Sequence, residues 1–228
     1  MWQDSLVLPP AARAEVIVNG GRPGRTSRLF ATPIQFQTDT VWLGTVTTQG
    51  LAAGAAMQDT PVPPRDATLA ASIRKLYTAR VDERRTFTFR SPTPTNPAFT
   101  INNDTFKVAT INTRVPLGNV EDWTIVNASD ELHVFHIHQL DFLVMDDGTG
   151  RADTLGLRDV VSMPPNSTVR VRIPFSESII KGLFVYHCHV LFHEDHGMMQ
   201  SICVYDPKEG KASCDRWLAG ATHAHASP

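Results

Sequence analysis

The chain has little charge and almost none to spare: 21 Lys and Arg stand against 23 Asp and Glu, a formal net charge of -2. No basic field is present to hold phosphates or an acidic lipid surface, so neither nucleic acid nor membrane is expected as a partner. Long apolar runs are missing as well. Nothing approaches the roughly 20 apolar residues that span a bilayer. The opening Met1-Trp-Gln-Asp-Ser-Leu-Val-Leu-Pro-Pro10 has neither the basic start nor the apolar core of a secretory signal. The chain therefore reads as soluble, with any export signal outside this sequence. Cysteine is scarce, at three, an odd count. If one is reserved as a metal ligand, Cys203 and Cys214 can bridge across a short loop, and such a bridge would argue for an oxidising compartment.

Turn formers and short alternating segments take the place of long runs. Thr86-Phe87-Thr88-Phe89 alternates with period two, as do Val169, Val171 and Ile173 after the turn Met163-Pro-Pro-Asn166. That is the pattern of an antiparallel sandwich. One helical stretch interrupts it, with Leu69, Ile73 and Leu76 at i, i+4 and i+7 behind Asp66 as N-cap, after the Pro-rich run Pro61–Pro64. The expected class is all-β. Residues 83–210 suffice for one complete β-sandwich, and residues 51–82 read as a linker carrying a short helix. Residues 1–50 hold enough for three or four strands and read as the closing part of an incomplete domain. Residues 211–228 read as a tail, in which His223-Ala-His225 is expected to be disordered rather than a ligand pair.

Six of the nine histidines fall in two clusters, His133-Val-Phe-His136-Ile-His138 and His187-Cys188-His189-Val-Leu-Phe-His193, the second followed by Glu-Asp-His-Gly-Met198-Met199. Side chains alternate along a strand, so His136 and His138 share a face while His133 points to the other. By the same parity His187 and His189 share a face and Cys188 points away. Pairing the two strands would gather His133 and Cys188 on one side and His136, His138, His187 and His189 on the other. His193 and Met198, from the following turn, complete two imidazoles, a thiolate and a thioether, the ligand set of a blue-copper site. Zinc accepts Cys and His too, but its structural sites usually show paired ligands at short spacing rather than one Cys flanked by His. An iron site opened by His-x-His would need a Glu a few residues on, and Gln139 to Val144 supply none. The four remaining histidines would bind further copper, and Cys188 joins His187 and His189 through the backbone.

The pattern His-x-x-His-x-His, followed by His-Cys-His-x-x-x-His-x-x-x-x-Met, resembles the last cupredoxin domain of three-domain multicopper oxidases, the group of laccases and bilirubin oxidases. Val120-Glu-Asp-Trp-Thr-Ile-Val-Asn127 and Arg158-Asp-Val-Val-Ser-Met-Pro-Pro165 agree with it, and Leu8-Pro-Pro-Ala-Ala-Arg-Ala-Glu-Val-Ile17 is similar to the late part of the family's second domain. The resemblance implies a cupredoxin-like Greek-key β-sandwich preceded by a partial cupredoxin domain. It implies type 1 copper at His133, Cys188, His193 and Met198, with Met199 a less favoured axial ligand. It also implies type 2 copper at His136 and the type 3 pair at His138, His187 and His189. Glu194 resembles an acidic position that delivers protons in bacterial members; the competing reading is a solvated Glu beside Asp195. His196 reads as a surface residue.

One departure limits the reading. The family's trinuclear cluster takes four further histidines from the first domain, and no histidine precedes His133 here. The expectation is a laccase-like oxidase fragment that takes electrons from a small organic reductant, of phenol or pyrrole type, and passes them to O2, with a missing domain or partner chain supplying the other ligands. Six methionines with no Met-rich run rank a cuprous substrate below an organic one. The rival reading is a blue-copper electron carrier that uses only the type 1 site. The parent protein is expected to be periplasmic or secreted.

Overall fold

The computed structural model describes residues 4–16, 18, 22–32, 39–50 and 66–224. Two units are defined by internal contact, one formed by Arg13–Ala67 and the other by Met1–Ala12 with Thr68–Pro228.

In the smaller unit, β1 (Thr26–Ala31) and β2 (Val41–Thr47) form an antiparallel pair running from Thr26 opposite Thr47 to Ala31 opposite Val41. These are the strands found among the described residues of 1–50, where three or four were expected; residues 51–65 of the expected linker lie outside the described residues. Leu29, Phe30, Trp42 and Leu43 are all exposed on this pair. Two strands cannot cover both of their own faces, so apolar side chains stay in solvent.

The larger unit is a two-sheet sandwich. A five-stranded sheet runs in the order β10 (Val160–Met163), β7 (His133–Ile137), β12 (Gly182–Cys188), β13 (Met199–Tyr205) and β5 (Thr113–Pro116). A six-stranded sheet runs β4 (Thr100–Ile101), β3 (Glu83–Arg90), β6 (Val120–Asn127), β11 (Thr168–Pro174), β8 (Phe142–Asp146) and β9 (Asp153–Arg158). Neighbours out of sequence order give the Greek-key crossovers of a cupredoxin-like sandwich. The core between the sheets takes Phe87, Phe89, Trp123, Ile125, Val169, Val171 and Ile173 from one side and Phe135, Ile137, Tyr186, Cys188 and Ile202 from the other. The period-two residues thus face inward as their spacing predicts.

Arg172 breaks the alternation, being buried on the outer face of β11. Helix α1 (Ala67–Tyr77) covers it, seating Ile73 and Leu76 on Leu143, with Val120 and Met145 alongside. Arg172 pairs with Asp122 at 2.7 Å and donates to the Tyr77 carbonyl at 2.6 Å. It thereby neutralises a buried carboxylate and caps the helix C-terminus at once. The helix expected inside a linker is part of the sandwich.

The described part of the expected tail also forms regular structure. Helix α3 (Ser213–Ala224) is anchored by the Cys203–Cys214 disulfide, and Trp217 and Leu218 pack beside Ile111. The bridge and that apolar face hold the segment against β13. His225 lies outside the described residues, and so does the side chain of His223.

Candidate metal centre

Strands β7 and β12 pair antiparallel with His187 opposite His136 and Cys188 opposite Phe135. Both are short, aromatic-rich and β-branched, which suits a central position in the sheet. The register sends His133 and Cys188 into the core and His136 and His187 to the outer face. After Cys188 the chain turns through helix α2 (Leu191–Asp195), which returns His193 to the inner side.

His133, Cys188 and His193 are all buried. The two Nδ1 atoms lie 3.0 Å apart, and each is 3.6 Å from the Cys188 sulfur. A triangle with those sides has its centre about 2 Å from each corner, a metal–ligand bond length. The outer nitrogens explain why both Nδ1 atoms face inward: His133 Nε2 lies 2.9 Å from Ser129 Oγ, and His193 Nε2 lies 3.6 Å from a Glu131 carboxylate oxygen. With its proton on Nε2, each ring keeps a bare Nδ1 lone pair for a ligand. Phe99 stacks on His193 with ring centroids 4.2 Å apart and fixes its plane.

Burial pushes His133 down to about 3, with the neighbouring His193 adding to the effect, so both imidazoles stay neutral. Burial pushes the Cys188 thiol up to about 11, against amide hydrogen bonds from Val134 and Val190. A cation must therefore displace the thiol proton, and the Val134 amide, 3.4 Å from the sulfur, is already placed to solvate the thiolate.

Met198 is fully buried and its backbone brackets the triad: its carbonyl accepts from the Cys188 amide and its amide donates to the His193 carbonyl, both at 3.0 Å. Met199 stands opposite His187 in the β12–β13 register and so shares that residue's face. The register thus separates the two methionines that spacing left close. Between His193 and Met198, Gly197 adopts φ +107°, and a Cβ there would meet Thr105 at 3.1 Å and the Phe99 carbonyl at 3.3 Å.

On the outer face the rings of His136, His138, His187 and His189 form a ring of neighbours with centroids 5.0 to 5.2 Å apart. His138 Nε2 and His187 Nε2 face one another at 3.1 Å. The far nitrogens are again occupied: His136 Nδ1 donates to the Asp159 carbonyl at 2.8 Å, where the chain crosses from β9 to β10. His187 Nδ1 reaches Glu194 at 3.0 Å. Glu194 is therefore engaged with this cluster rather than freely solvated, and burial raises its carboxyl above the ordinary range. Beside the cluster an open depression of about 370 Å³ is lined by His136, His138, Gln139, Asp141 and Asp159. Gln139 holds φ +64° next to His138, an uncommon conformation for a non-glycine residue. His196 is exposed and bonds the Phe192 carbonyl.

Of the residues singled out, the structure gathers His133, Cys188 and His193 with Met198 on the inner side and His136, His138, His187 and His189 with Glu194 on the outer face. Spacing did not reveal Ser91, Phe99 or Asp159, which reach the rings from distant segments, nor Ser129 and Glu131 in the loop just before His133. Gly197, directly before Met198, was the one local signal available.

A buried two-His, one-Cys triad inside a two-sheet sandwich defines a cupredoxin-type metal module. The profile of the multicopper oxidase family matches residues 72–208, and the chain belongs to that family of copper oxidoreductases. It is 39% identical over 116 residues to a bilirubin oxidase from Albifimbria verrucaria, covering 46% of this chain and 20% of that protein. It is 35% identical over 115 residues to the multicopper oxidase mco of Staphylococcus haemolyticus, covering 48% and 25% respectively. In fold it is similar to the 2F4 variant of the McoA multicopper oxidase from Aquifex aeolicus, at TM-score 0.58 and 21% identity, covering 81% of this chain and 42% of that one. The chain thus spans a quarter or less of the length of those two curated relatives.

Proposed function

We propose that this chain carries the electron-accepting site of a laccase-like oxidase together with half of the ligands for its oxygen-reducing cluster. The observation that carries the proposal is the pair of donor sets on opposite faces of β7 and β12, joined through the backbone of His187-Cys188-His189. His133, Cys188 and His193, with Met198 beside them, would hold a type 1 copper. His136 would serve a type 2 copper, and His138, His187 and His189 a type 3 pair. When bound, copper supplies the one-electron chemistry that takes electrons from a small organic reductant of phenol or pyrrole type and delivers them to O2, giving water.

The chain's own residues perform the surrounding tasks. The buried inner triad excludes water and keeps its imidazoles neutral and aimed. The backbone from Cys188 to its two neighbours gives the shortest covalent route between the faces. Glu194, its carboxylate on His187 Nδ1 and its side chain 24% exposed, lies where a proton can pass from solvent toward the outer face. Four more histidines would come from a missing domain or a partner chain. A periplasmic or secreted setting fits the Cys203–Cys214 bridge.

The test is copper loading of the full chain, with stoichiometry, the visible thiolate-to-copper band and oxygen uptake measured together. The band with oxygen uptake that appears only when a histidine-supplying partner is added supports the proposal. One copper with no uptake under any pairing would favour an electron carrier, and absence of the band would overturn the type 1 assignment.

A further inference from the structure

We infer that Glu131 is a positioning residue that holds down the reduction potential of the His133–Cys188–His193 copper site by keeping a carboxylate charge against the outer edge of His193. The inference rests on the type 1 reading of that triad. Glu131 lies in the loop between β6 and β7, and one of its carboxylate oxygens is 3.6 Å from His193 Nε2. The same oxygen accepts a hydrogen bond of 2.5 Å from Ser91 Oγ, at the end of β3. Ser91 Oγ lies 3.4 Å from His133 Nε2, so one hydroxyl and one carboxylate bridge the outer edges of both imidazoles. The loop is itself pinned. Asn127 donates through its side-chain amide to the Glu131 carbonyl at 2.7 Å and to the Met163 and Pro164 carbonyls at 3.0 and 2.9 Å. Its own oxygen accepts from the Ser129 amide at 3.1 Å and hydroxyl at 2.8 Å. A side chain this constrained places its charge at a fixed distance from the metal position.

The consequence is electrostatic. The oxidised site carries one more positive charge than the reduced site, so a negative charge one imidazole away favours the oxidised form. The Glu131 side chain is 37% exposed, which puts the interaction in the partly screened regime rather than the deep interior. The expected effect of removing the charge is therefore about a tenfold shift toward the reduced form, or ~59 mV upward for one electron. Glu194, the carboxylate of the outer face, bonds His187.

The experiment is a redox titration of the copper-loaded full chain against a one-electron mediator, read at the blue band. Wild type, Glu131→Gln and Glu131→Asp are compared. Glu131→Gln keeps a hydrogen-bond acceptor for Ser91 and is expected to shift the equilibrium about tenfold toward the reduced form with the band intact, while Glu131→Asp stays near wild type. An unshifted Glu131→Gln with a normal band overturns the inference, as does an equal shift in Glu131→Asp, which would indicate packing rather than charge. If Glu131→Gln fails to load copper, Ser91→Ala decides, since it frees the carboxylate without removing it. A smaller shift in the same direction supports the inference, and none overturns it. A wild-type chain without the blue band would instead defeat the type 1 reading itself.

Discussion

On the inner face of β7 and β12, His133 and Cys188 are wholly buried, and each donor that faces inward has a backing group that fixes it. On the outer face of the same strands His187 is buried, His136 and His189 are half-buried and His138 is exposed, and His136 and His138 border an open depression. The same two segments of chain therefore present one donor set that the sandwich completes and one that it leaves open. The difference follows from where each face points. The inner face meets the second sheet and the loops that cross it, which supply Ser129, Glu131 and Phe99. On the outer face of the five-stranded sheet helix α3 covers the end at Leu183 and Cys203 and Glu194 backs the buried His187, while the end at His136 and His138 stays open.

The strongest way to break this comparison is Cys188→Ser. Complete loss of the blue band is expected, with loss of all substrate oxidation by the assembled enzyme, whereas His138→Ala should leave the band in place. Loss of colour in both variants would mean that the two faces do not hold separate sites.

Metal-free stability sharpens the contrast next. Replacing the fully buried His133 by Ala leaves a cavity in the core, so a loss of about 2–4 kcal/mol in denaturant unfolding is expected. His138→Ala, at an exposed position, should fall within about 0.5 kcal/mol of wild type. Comparable losses at the two positions would contradict the assignment of one closed and one open face.

Gly197→Ala tests how far the inner site depends on backbone shape. Its positive φ and the tight approach to Thr105 and the Phe99 carbonyl predict about 2 kcal/mol of destabilisation. They also predict a shifted blue band, because Gly197 joins the His193 turn to Met198. An unchanged melting temperature and spectrum would show that the turn can relax without disturbing either ligand.

The smallest expected effect is at Phe192, exposed on α2 with its ring centroid 4.1 Å from that of His196 in a tilted pair. Phe192→Ser should leave both colour and stability nearly unchanged, within about 0.5 kcal/mol. A large loss of colour there would mean that the α2 surface, and not only its buried His193, shapes the inner site.

Strand parity determined the division of histidines between two faces before any tertiary contact was known. A period of two is a local property of extended backbone, so His133 and Cys188 had to part from His136, His138, His187 and His189 once both segments became strands. The alternating Phe87, Phe89 and Val169, Val171, Ile173 were legible for the same reason, and so was α1 from its 3.6-residue spacing. What spacing could not supply was register and long-range packing. Only the β12–β13 pairing places Met199 with His187 and so leaves Met198 beside Cys188. Only the fold brings Ser91 to His133 and Glu131 and Phe99 to His193, from up to 94 positions away in the case of Phe99 and His193. Arg172 shows the same limit from the opposite side. Its place in an alternating strand predicts solvent, and burial follows because α1 arrives over it and Asp122 waits beneath. Periodicity fixes which way a side chain points; what it meets there depends on segments distant in sequence, whose approach no local pattern encodes.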